Sequence, residues 1–310
     1  MISYYKTING KITCIDKYEC NCWINCIAPT NKEVGYLIKE FKIDPDFLRA
    51  SLDEEESSHI DSDHENTLVI IDVPICTNEN DNISYSTIPL GVMLTKCNVI
   101  TVCLRENPIL EELSRGVVKG VYLNLKTHFV FHIMLRMATK YLLYLKHIDK
   151  ISHHVEKELR KSMKNKDLIL LLEVEKSLVY FSASLKANEG TLAKIRRGRV
   201  LKLYEEDQDL LEDVMIEIKQ AIEMSSIYLN ILSGTMDAFA SIISNNLNIV
   251  MKVLASITLI MSIPTIIFSF YGMNINVDKL PFDQIWWCPV AISGIMMGVT
   301  YMILKKKNML

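Results

Sequence analysis

Two long uncharged, apolar runs near the C-terminus constrain the fold of this chain most strongly. No charged residue occurs from Val253 to Val277 or from Gln284 to Leu304. Each run holds close to twenty mainly apolar residues, the length with which a helix crosses a hydrocarbon core of about 30 Å at about 1.5 Å per residue. Almost every charge lies before the first run. The sequence therefore predicts a large water-soluble region followed by two membrane helices.

The water-soluble region changes character near residue 105. Before that point, short β-rich apolar runs alternate with helical stretches, which is typical of an α+β domain. Afterwards apolar residues recur every three or four positions, and the proline-free stretch from Glu111 to Met163 is predicted to be helical. The predicted divisions are an α+β domain (1–105), a helical region (106–202), a long stalk and pore helix (203–271, in the membrane from about 253), an outer loop (272–285), a second span (286–304) and a tail (305–310).

Basic residues at the ends of the apolar runs predict the orientation. Lys252 precedes the first run and Lys305 to Lys307 follow the second, whereas the connecting loop has one lysine, Lys279. The positive-inside rule then places both termini in the cytoplasm and the loop outside. The first residues lack a basic segment followed by an apolar core, so no cleaved signal peptide is expected. The chain is thus predicted to be a multi-pass plasma-membrane protein, and its net charge of -3 argues against nucleic-acid binding.

A polar stripe runs along one face of the first predicted span. Its hydroxyl side chains follow the helical spacing i, i+4, i+7 and i+11, as Thr258, Ser262, Thr265 and Ser269. Toward the cytoplasm the same stripe passes Ala255, Met251, Asn248, Ser244, Ser241 and Asp237. Such a stripe indicates either helix packing through small hydroxyl residues or the lining of a pore. Two spans cannot enclose a pathway alone, so a pore requires a ring of several chains.

Three other groups of residues invite a metal-site interpretation. Cys20, Cys22 and Cys26 form a cluster, but a matching second pair is missing, so free buried thiols are expected instead. The acidic, histidine-containing segment His59 to Glu65 is expected to be a solvated loop. His128 and His132 share a helix face without a nearby glutamate, so helix packing is expected. No nucleotide loop or nucleophile elbow occurs, so neither an enzyme nor an organic cofactor is expected.

The C-terminal region carries a family resemblance. Tyr271 is followed by Gly272-Met273-Asn274, a short loop and the second span, and this arrangement resembles the CorA family of magnesium channels. The stretches "NIVMKVLASITLI" and "SLVYFSASLKANEGTLAKI" resemble the pore helix and a helical segment of Gram-positive members. The resemblance covers nearly the whole chain. It implies a funnel-shaped homopentamer in a bacterial membrane that admits Mg²⁺ and also passes Co²⁺ or Ni²⁺.

The resemblance also implies roles for residues along this pore. Gly272, Met273 and Asn274 correspond to the selectivity filter, where neutral carbonyl and carboxamide oxygens can accept hydrogen bonds from the tightly held waters of Mg²⁺. Met251 and Leu254 correspond to an apolar gate. The other positions expected to line the pathway are Asp237, Asn248, Thr258, Ser262, Thr265 and Ser269.

A regulatory Mg²⁺ site between neighbouring chains is implied at Asp213. The acidic partner usual in the family is replaced by Ala50, so Asp53 or Glu54 is expected to substitute. The outer loop lacks the family's usual glutamate, which leaves Asp278 and Asp283 to attract cations.

Two alternatives to a magnesium channel stay open. One is a transporter of zinc or another divalent cation on the same scaffold. The other is a membrane-tethered coiled-coil protein with a signalling or scaffolding role, in which the two spans only anchor the chain.

Overall fold

The computed structural model describes the chain except residues 9, 64, 80–81, 119, 163, 199, 202, 274–286, 308 and 310, and describes only the backbone of 78–79 and 82–83. The chain divides into two compact units, Met1–Ser233 and Gly234–Leu310.

The chain folds into seven strands and seven helices among the described residues, and the first unit combines both, as expected for an α+β domain. In chain order the elements are β1 (Ile2–Ile8), β2 (Lys11–Ile15), β3 (Trp23–Ile27), α1 (Asn31–Phe41), α2 (Pro45–Ser51), β4 (His59–Ser62), β5 (Thr67–Glu79), β6 (Asn82–Leu94), β7 (Val99–Cys103), α3 (Pro108–Ser114), α4 (Lys126–Ser162), α5 (Asn165–Arg196), α6 (Glu205–Tyr271) and α7 (Cys288–Lys306).

The seven strands form one sheet in the order β2-β1-β3-β7-β6-β5-β4. β3 and β7 pair in parallel, with Trp23 opposite Val99, and the other neighbouring strands pair antiparallel. Parallel neighbours need a long crossover connection, and here the chain between β3 and β7 supplies α1, α2 and three strands. The first residues of β3 and β7, Trp23 and Val99, therefore lie side by side although they are far apart in sequence.

Both faces of the central strands are covered, which explains their continuous apolar sequence. One face packs against α1 and α2 in a cluster that includes Ile24, Leu37 and Phe47. On the other face, the ring of Trp23 lies 5.3 Å from that of Phe129 in α4, measured between centroids. The Trp23 indole also donates a hydrogen bond to the Thr101 hydroxyl at 2.8 Å. These contacts anchor the start of α4 on the sheet.

A side-chain amide completes the outer edge of β5. β4 pairs with β5 only from Thr67 to Ile70. Beyond that point Asn188 of α5 takes the place of a strand, because its Oδ1 accepts the N–H of Asp72 at 2.9 Å and its Nδ2 donates to the Asp72 carbonyl at 2.8 Å. Tyr141 of α4 donates to the same carbonyl at 3.0 Å. The amide thus satisfies buried backbone groups that would be costly to leave unpaired.

Some local expectations from the sequence are wrong. The segment expected to be a solvated acidic loop contains the edge strand β4, and charged side chains on such an edge disfavour pairing with another chain. The stretch from Glu111 to Met163 is interrupted between α3 and α4. Gly116 and Gly120 in this connection have φ of 65° and 77°, a conformation that glycine adopts at little cost.

The cysteine cluster also differs from the expectation. Cys22 and Cys26 are buried, as expected, but Cys20 is exposed, and so are Cys14, Cys76 and Cys97.

The second unit contains the end of α6 and the whole of α7. α6 is one uninterrupted helix of 67 residues, with Pro264 inside it. By length and composition, α6 and α7 are both able to cross a membrane, and the 19 residues of α7 span about 28 Å. The buried Ser256 hydroxyl donates to the Met309 carbonyl at 3.0 Å. Most apolar side chains in the membrane part of α6 are exposed, including Ile266 at 67%.

Candidate ion pathway and regulatory site

In the hydroxyl stripe of α6, Thr258, Thr265 and Ser269 are exposed and Ser262 is half-buried. Each hydroxyl donor of the stripe that the structure pairs is bound within the helix itself. Thr258 donates to the Leu254 carbonyl at 2.9 Å and Thr265 donates to the Met261 carbonyl at 3.2 Å. Ser262 donates to the Leu259 carbonyl at 2.8 Å. A hydroxyl that gives its proton to the backbone presents its oxygen lone pairs outward. The stripe is therefore a row of hydrogen-bond acceptors, which suits the waters around a hydrated cation.

On the N-terminal side of the hydroxyl stripe, the same face of α6 carries first apolar and then polar side chains. Met251 is 55% exposed and Leu254 is 56% exposed in the single chain. Asn248 and Asp237, toward the start of the helix, are exposed as well. Because residues three and four apart lie on the same side of a helix, these four residues continue the line of Thr258 and Ser262.

The helix tightens where it ends. The Gly272 N–H bonds the Phe268 carbonyl at 2.9 Å, as in an α-helix, but the Met273 N–H bonds the Phe270 carbonyl at 3.4 Å, with the shorter spacing of a 3₁₀ turn. A Cβ added at Gly272 would stand 3.2 Å from the Phe268 carbonyl oxygen, closer than most side chains approach. Glycine therefore lets the last turn close tightly. Three predicted site residues, Asn274, Asp278 and Asp283, lie outside the described residues.

Asp213 and Glu54, two of the carboxylates predicted for regulation, line different cavities. Asp213 is exposed and lines a cavity of about 720 Å³ together with His132, Arg136 and Glu217. Glu54 instead pairs with Arg105 at 3.0 Å and lines a different cavity. Asp53 accepts the N–H of Glu55 at 3.0 Å.

Mg²⁺ prefers a complete octahedral shell of oxygens. Among the described residues, no group of three or more His, Cys, Asp or Glu side chains has the geometry to hold a metal ion. Within the described part of one chain, Asp213 is therefore not part of a group of three or more such ligands.

The two histidines of α4 pack as expected, and the structure adds a carboxylate to them. Their rings meet edge to face with centroids 4.7 Å apart. His128 Nδ1 lies 3.3 Å from Asp207 Oδ1, and Asp207 also accepts the Tyr204 N–H at 3.1 Å. Burial, together with the neighbouring His128, lowers the pKa of His132 to about 4, so this imidazole is neutral at physiological pH. Asp207 could not be assigned to this group from sequence because it comes from a distant helix.

Comparison with known proteins covers nearly the whole chain. The CorA-like Mg²⁺ transporter protein family model matches residues 19–306. The cobalt/magnesium transport protein CorA of Methanocaldococcus jannaschii is 25% identical over 291 residues, covering 92% of this chain and 90% of that protein.

Solved structures agree in fold. The complete structure of the CorA magnesium transporter from M. jannaschii superposes with a TM-score of 0.83 at 22% identity, covering 100% of this chain and 99% of that one. The soluble domain of the same transporter gives a TM-score of 0.68 at 23% identity, covering 76% and 95%. The α+β region, the long helices and the two candidate C-terminal spans thus have counterparts in a known transporter. From the match over residues 19–306, this chain belongs to the CorA-like Mg²⁺ transporter family.

Proposed function

We propose that this protein is a divalent-cation channel that admits Mg²⁺ across the plasma membrane along the polar face of α6. The observation that carries the proposal is the geometry of that helix. It continues without a break into its membrane part, it exposes a row of hydroxyl acceptors, and it tightens at Gly272 and Met273. Family membership supports transport, rather than catalysis, as the activity.

The pathway requires several copies of the chain. One α6 and one α7 cannot enclose a channel, and the exposed apolar side chains of α6 need either lipid or other chains to cover them. We propose a homopentamer in which five α6 helices surround the pathway with their hydroxyl faces inward. Both termini lie in the cytoplasm in this arrangement, because the basic residues flank that side of the spans.

Ion selection in this proposal acts on the hydrated ion. Mg²⁺ gives up its water reluctantly, so neutral acceptors that bind those waters allow passage without dehydration. The Thr258, Ser262 and Thr265 oxygens supply such acceptors inside the membrane, and Gly272, Met273 and Asn274 form the filter at the outer end. Hydrated Co²⁺ and Ni²⁺ are octahedral too and are expected to pass. Asp278 and Asp283 raise the local cation concentration at the entrance.

Gating in this proposal uses the apolar residues Met251 and Leu254, which lie on the N-terminal side of the hydroxyl stripe in α6. Rings of Met251 and Leu254 would exclude water when the chains approach closely, which blocks a hydrated ion. Asn248 and Asp237 continue the pathway into the cytoplasm. We further propose that cytoplasmic Mg²⁺ stabilises the closed form at Asp213, with Asp53 or Glu54 of a neighbouring chain as its partner. Within one chain, Asp213 and Glu54 line different cavities, which favours a partner from a neighbouring chain.

The direct test is Mg²⁺ flux into liposomes that contain the purified chain and an internal Mg²⁺ indicator, driven by an inside-negative potential. We expect uptake by the parent protein and a loss of roughly tenfold or more in Asn274→Ala, because the filter loses its carboxamide ring. Asn276→Ala, two positions further on, is the matched control and should retain uptake.

Other outcomes would favour the alternatives. Uptake of Zn²⁺ without uptake of Mg²⁺ would indicate a zinc transporter on this scaffold. No uptake of any divalent cation, with the protein correctly incorporated, would favour a membrane-tethered scaffold and would refute the channel.

A further inference from the structure

Two exposed cysteines, Cys20 and Cys97, lie a few residues before β3 and β7. Hydrogen bonds continue between the two backbones before the paired residues Trp23 and Val99. The Val99 N–H bonds the Cys22 carbonyl at 3.4 Å, and the Asn21 N–H bonds the Cys97 carbonyl at 3.2 Å. The Cys22 N–H, in turn, bonds the Asn98 side-chain oxygen at 3.2 Å. The segment that contains Cys20 is therefore held alongside the β6–β7 turn that contains Cys97.

The two side chains approach each other on the surface. Cys20 and Cys97 are both free and exposed, and the Cys20 thiol is near enough to affect the pKa of Cys97. The Asn21 N–H belongs to the peptide bond that follows Cys20, and its 3.2 Å bond to the Cys97 carbonyl holds the backbones of the two cysteines next to each other. A disulfide needs Cα atoms within about 4.4–6.8 Å of each other, which neighbouring backbones allow. The nearby Cys22, by contrast, is 1% exposed and faces the core.

A fixed positive charge stands beside the pair. Lys126, the first residue of α4, donates to the carbonyls of Thr95 at 2.7 Å and Lys96 at 2.5 Å, so its ammonium is held against the turn. Burial lowers the pKa of Lys126, and Coulombic attraction to Cys97 and Cys20 opposes that effect. A nearby cation stabilises thiolate, which is the reactive form of cysteine.

The neighbouring Cys20 raises the pKa of Cys97, so Cys97 holds its proton more tightly than an isolated thiol does. That property suits Cys97 to the second step of disulfide formation, in which a thiol attacks an oxidised sulfur.

We propose that Cys20 and Cys97 are a redox-sensitive dithiol that a hydroperoxide converts into a reversible intrachain disulfide. The Cys20 thiolate attacks one peroxide oxygen, the O–O bond breaks, and a sulfenic acid forms while the leaving hydroxide takes up the proton that Cys20 released on ionisation and becomes water. The Cys97 sulfur then attacks the Cys20 sulfur, the S–O bond breaks, and the departing hydroxide takes the Cys97 proton as water. Two thiols and one hydrogen peroxide thereby give one disulfide and two waters. A dithiol reductant reverses the reaction.

The linkage would fix one wall of an existing cavity. Asn21, which separates Cys20 from the buried Cys22, lines a cavity of about 830 Å³ together with Lys126, His128 and Asp207. Asp207 belongs to the first turn of α6. Oxidation would therefore restrain the surface beside the start of the long helix. In a reducing compartment, a disulfide of this kind is transient and serves as a sensor rather than as a structural link.

The proposal is tested on the full chain, purified in detergent and treated with hydrogen peroxide. Free thiols are then alkylated, and the protein is digested without reductant and analysed by mass spectrometry. We expect a peptide pair joined through Cys20 and Cys97, and loss of alkylation at these two sites roughly tenfold faster than at the exposed Cys14. Dithiothreitol should restore both thiols.

Variants assign the linkage. Cys20→Ser and Cys97→Ser should each abolish the joined peptide, and Cys14→Ser, on β2, should leave its yield unchanged. The wild-type peptide map decides the matter even if a variant does not fold. The proposal is overturned if Cys20 and Cys97 remain separately alkylated after oxidation, if they proceed to sulfinic acids without a joined peptide, or if the disulfide joins two chains rather than one.

Discussion

The amide of Asn188 offers a sharp test of how the helices are held on the sheet. Asn188→Ala removes both hydrogen bonds to the Asp72 backbone, at 2.9 Å and 2.8 Å, from a residue that is 0% exposed. In the variant, the Asp72 carbonyl still accepts the hydrogen bond from the Tyr141 hydroxyl. The Asp72 N–H, however, loses its acceptor, the Asn188 side-chain oxygen. Leaving one buried N–H unpaired costs about 1–3 kcal/mol, and loss of the side chain from a packed site adds to that. We expect the first unit to lose about 2–4 kcal/mol of unfolding free energy.

The measurement is the urea concentration at which half of the full chain is unfolded in detergent. Unfolding is monitored by the fluorescence of Trp23 in a protein that also carries Trp286→Phe and Trp287→Phe. Trp23 is fully buried between the sheet and α4, so its emission reports on this unit. The control is Asn165→Ala at the exposed start of α5, which should change the free energy by less than about 0.5 kcal/mol. If both variants unfold at the same urea concentration, the amide does not act as a strand substitute and the reasoning is refuted.

Two further predictions concern the same unit. Gly91→Ala should destabilise this unit by about 1–3 kcal/mol in the same urea assay, because the added Cβ would lie 2.0 Å from the Ser51 hydroxyl oxygen. Adding Ser51→Gly to this variant removes the clashing hydroxyl and should partly restore the urea midpoint. Burial raises the pKa of Asp72 from 3.8 to about 6, so the folded state binds the proton more tightly than the unfolded state. The contribution of Asp72 to stability is therefore present at low pH and is lost as the pH rises from about 4 to about 6. Asp72→Asn should flatten this dependence of the unfolding free energy on pH. If the unfolding free energies of wild type and variant differ by a constant amount between about pH 4 and pH 6, the assignment to Asp72 is wrong.

The sequence was most informative where structure depends on local pattern. Helical periodicity predicted a long stalk and pore helix over residues 203–271, and α6 runs from Glu205 to Tyr271. The two apolar runs predicted two membrane-spanning helices, and α6 and α7 have the length and composition for that. The tripeptide Gly272-Met273-Asn274, in its place between the two runs, pointed to the family to which the chain belongs. Length, periodicity and short motifs can be read from neighbouring residues alone.

Apolar periodicity predicted the wrong local structure where a few residues or a neighbouring strand determine the backbone conformation. The break between α3 and α4 depends on the positive φ of Gly116 and Gly120, which apolar spacing does not reveal. Likewise, the segment beginning at His59 is polar enough to be a loop, and it becomes a strand because β5 offers it an open edge.

What the sequence determined by itself is therefore the order of the parts: an α+β region, long helices, and two apolar spans that meet at a glycine-containing turn. Only the tertiary structure decided which distant side chains meet. It brought Asn188 to the edge of β5, Asp207 to His128, and the backbone of Cys97 beside that of Cys20, and it placed Asp213 and Glu54 in different cavities. The physical reason is that such contacts depend on strand order and helix packing, which bring together residues with no shared local pattern.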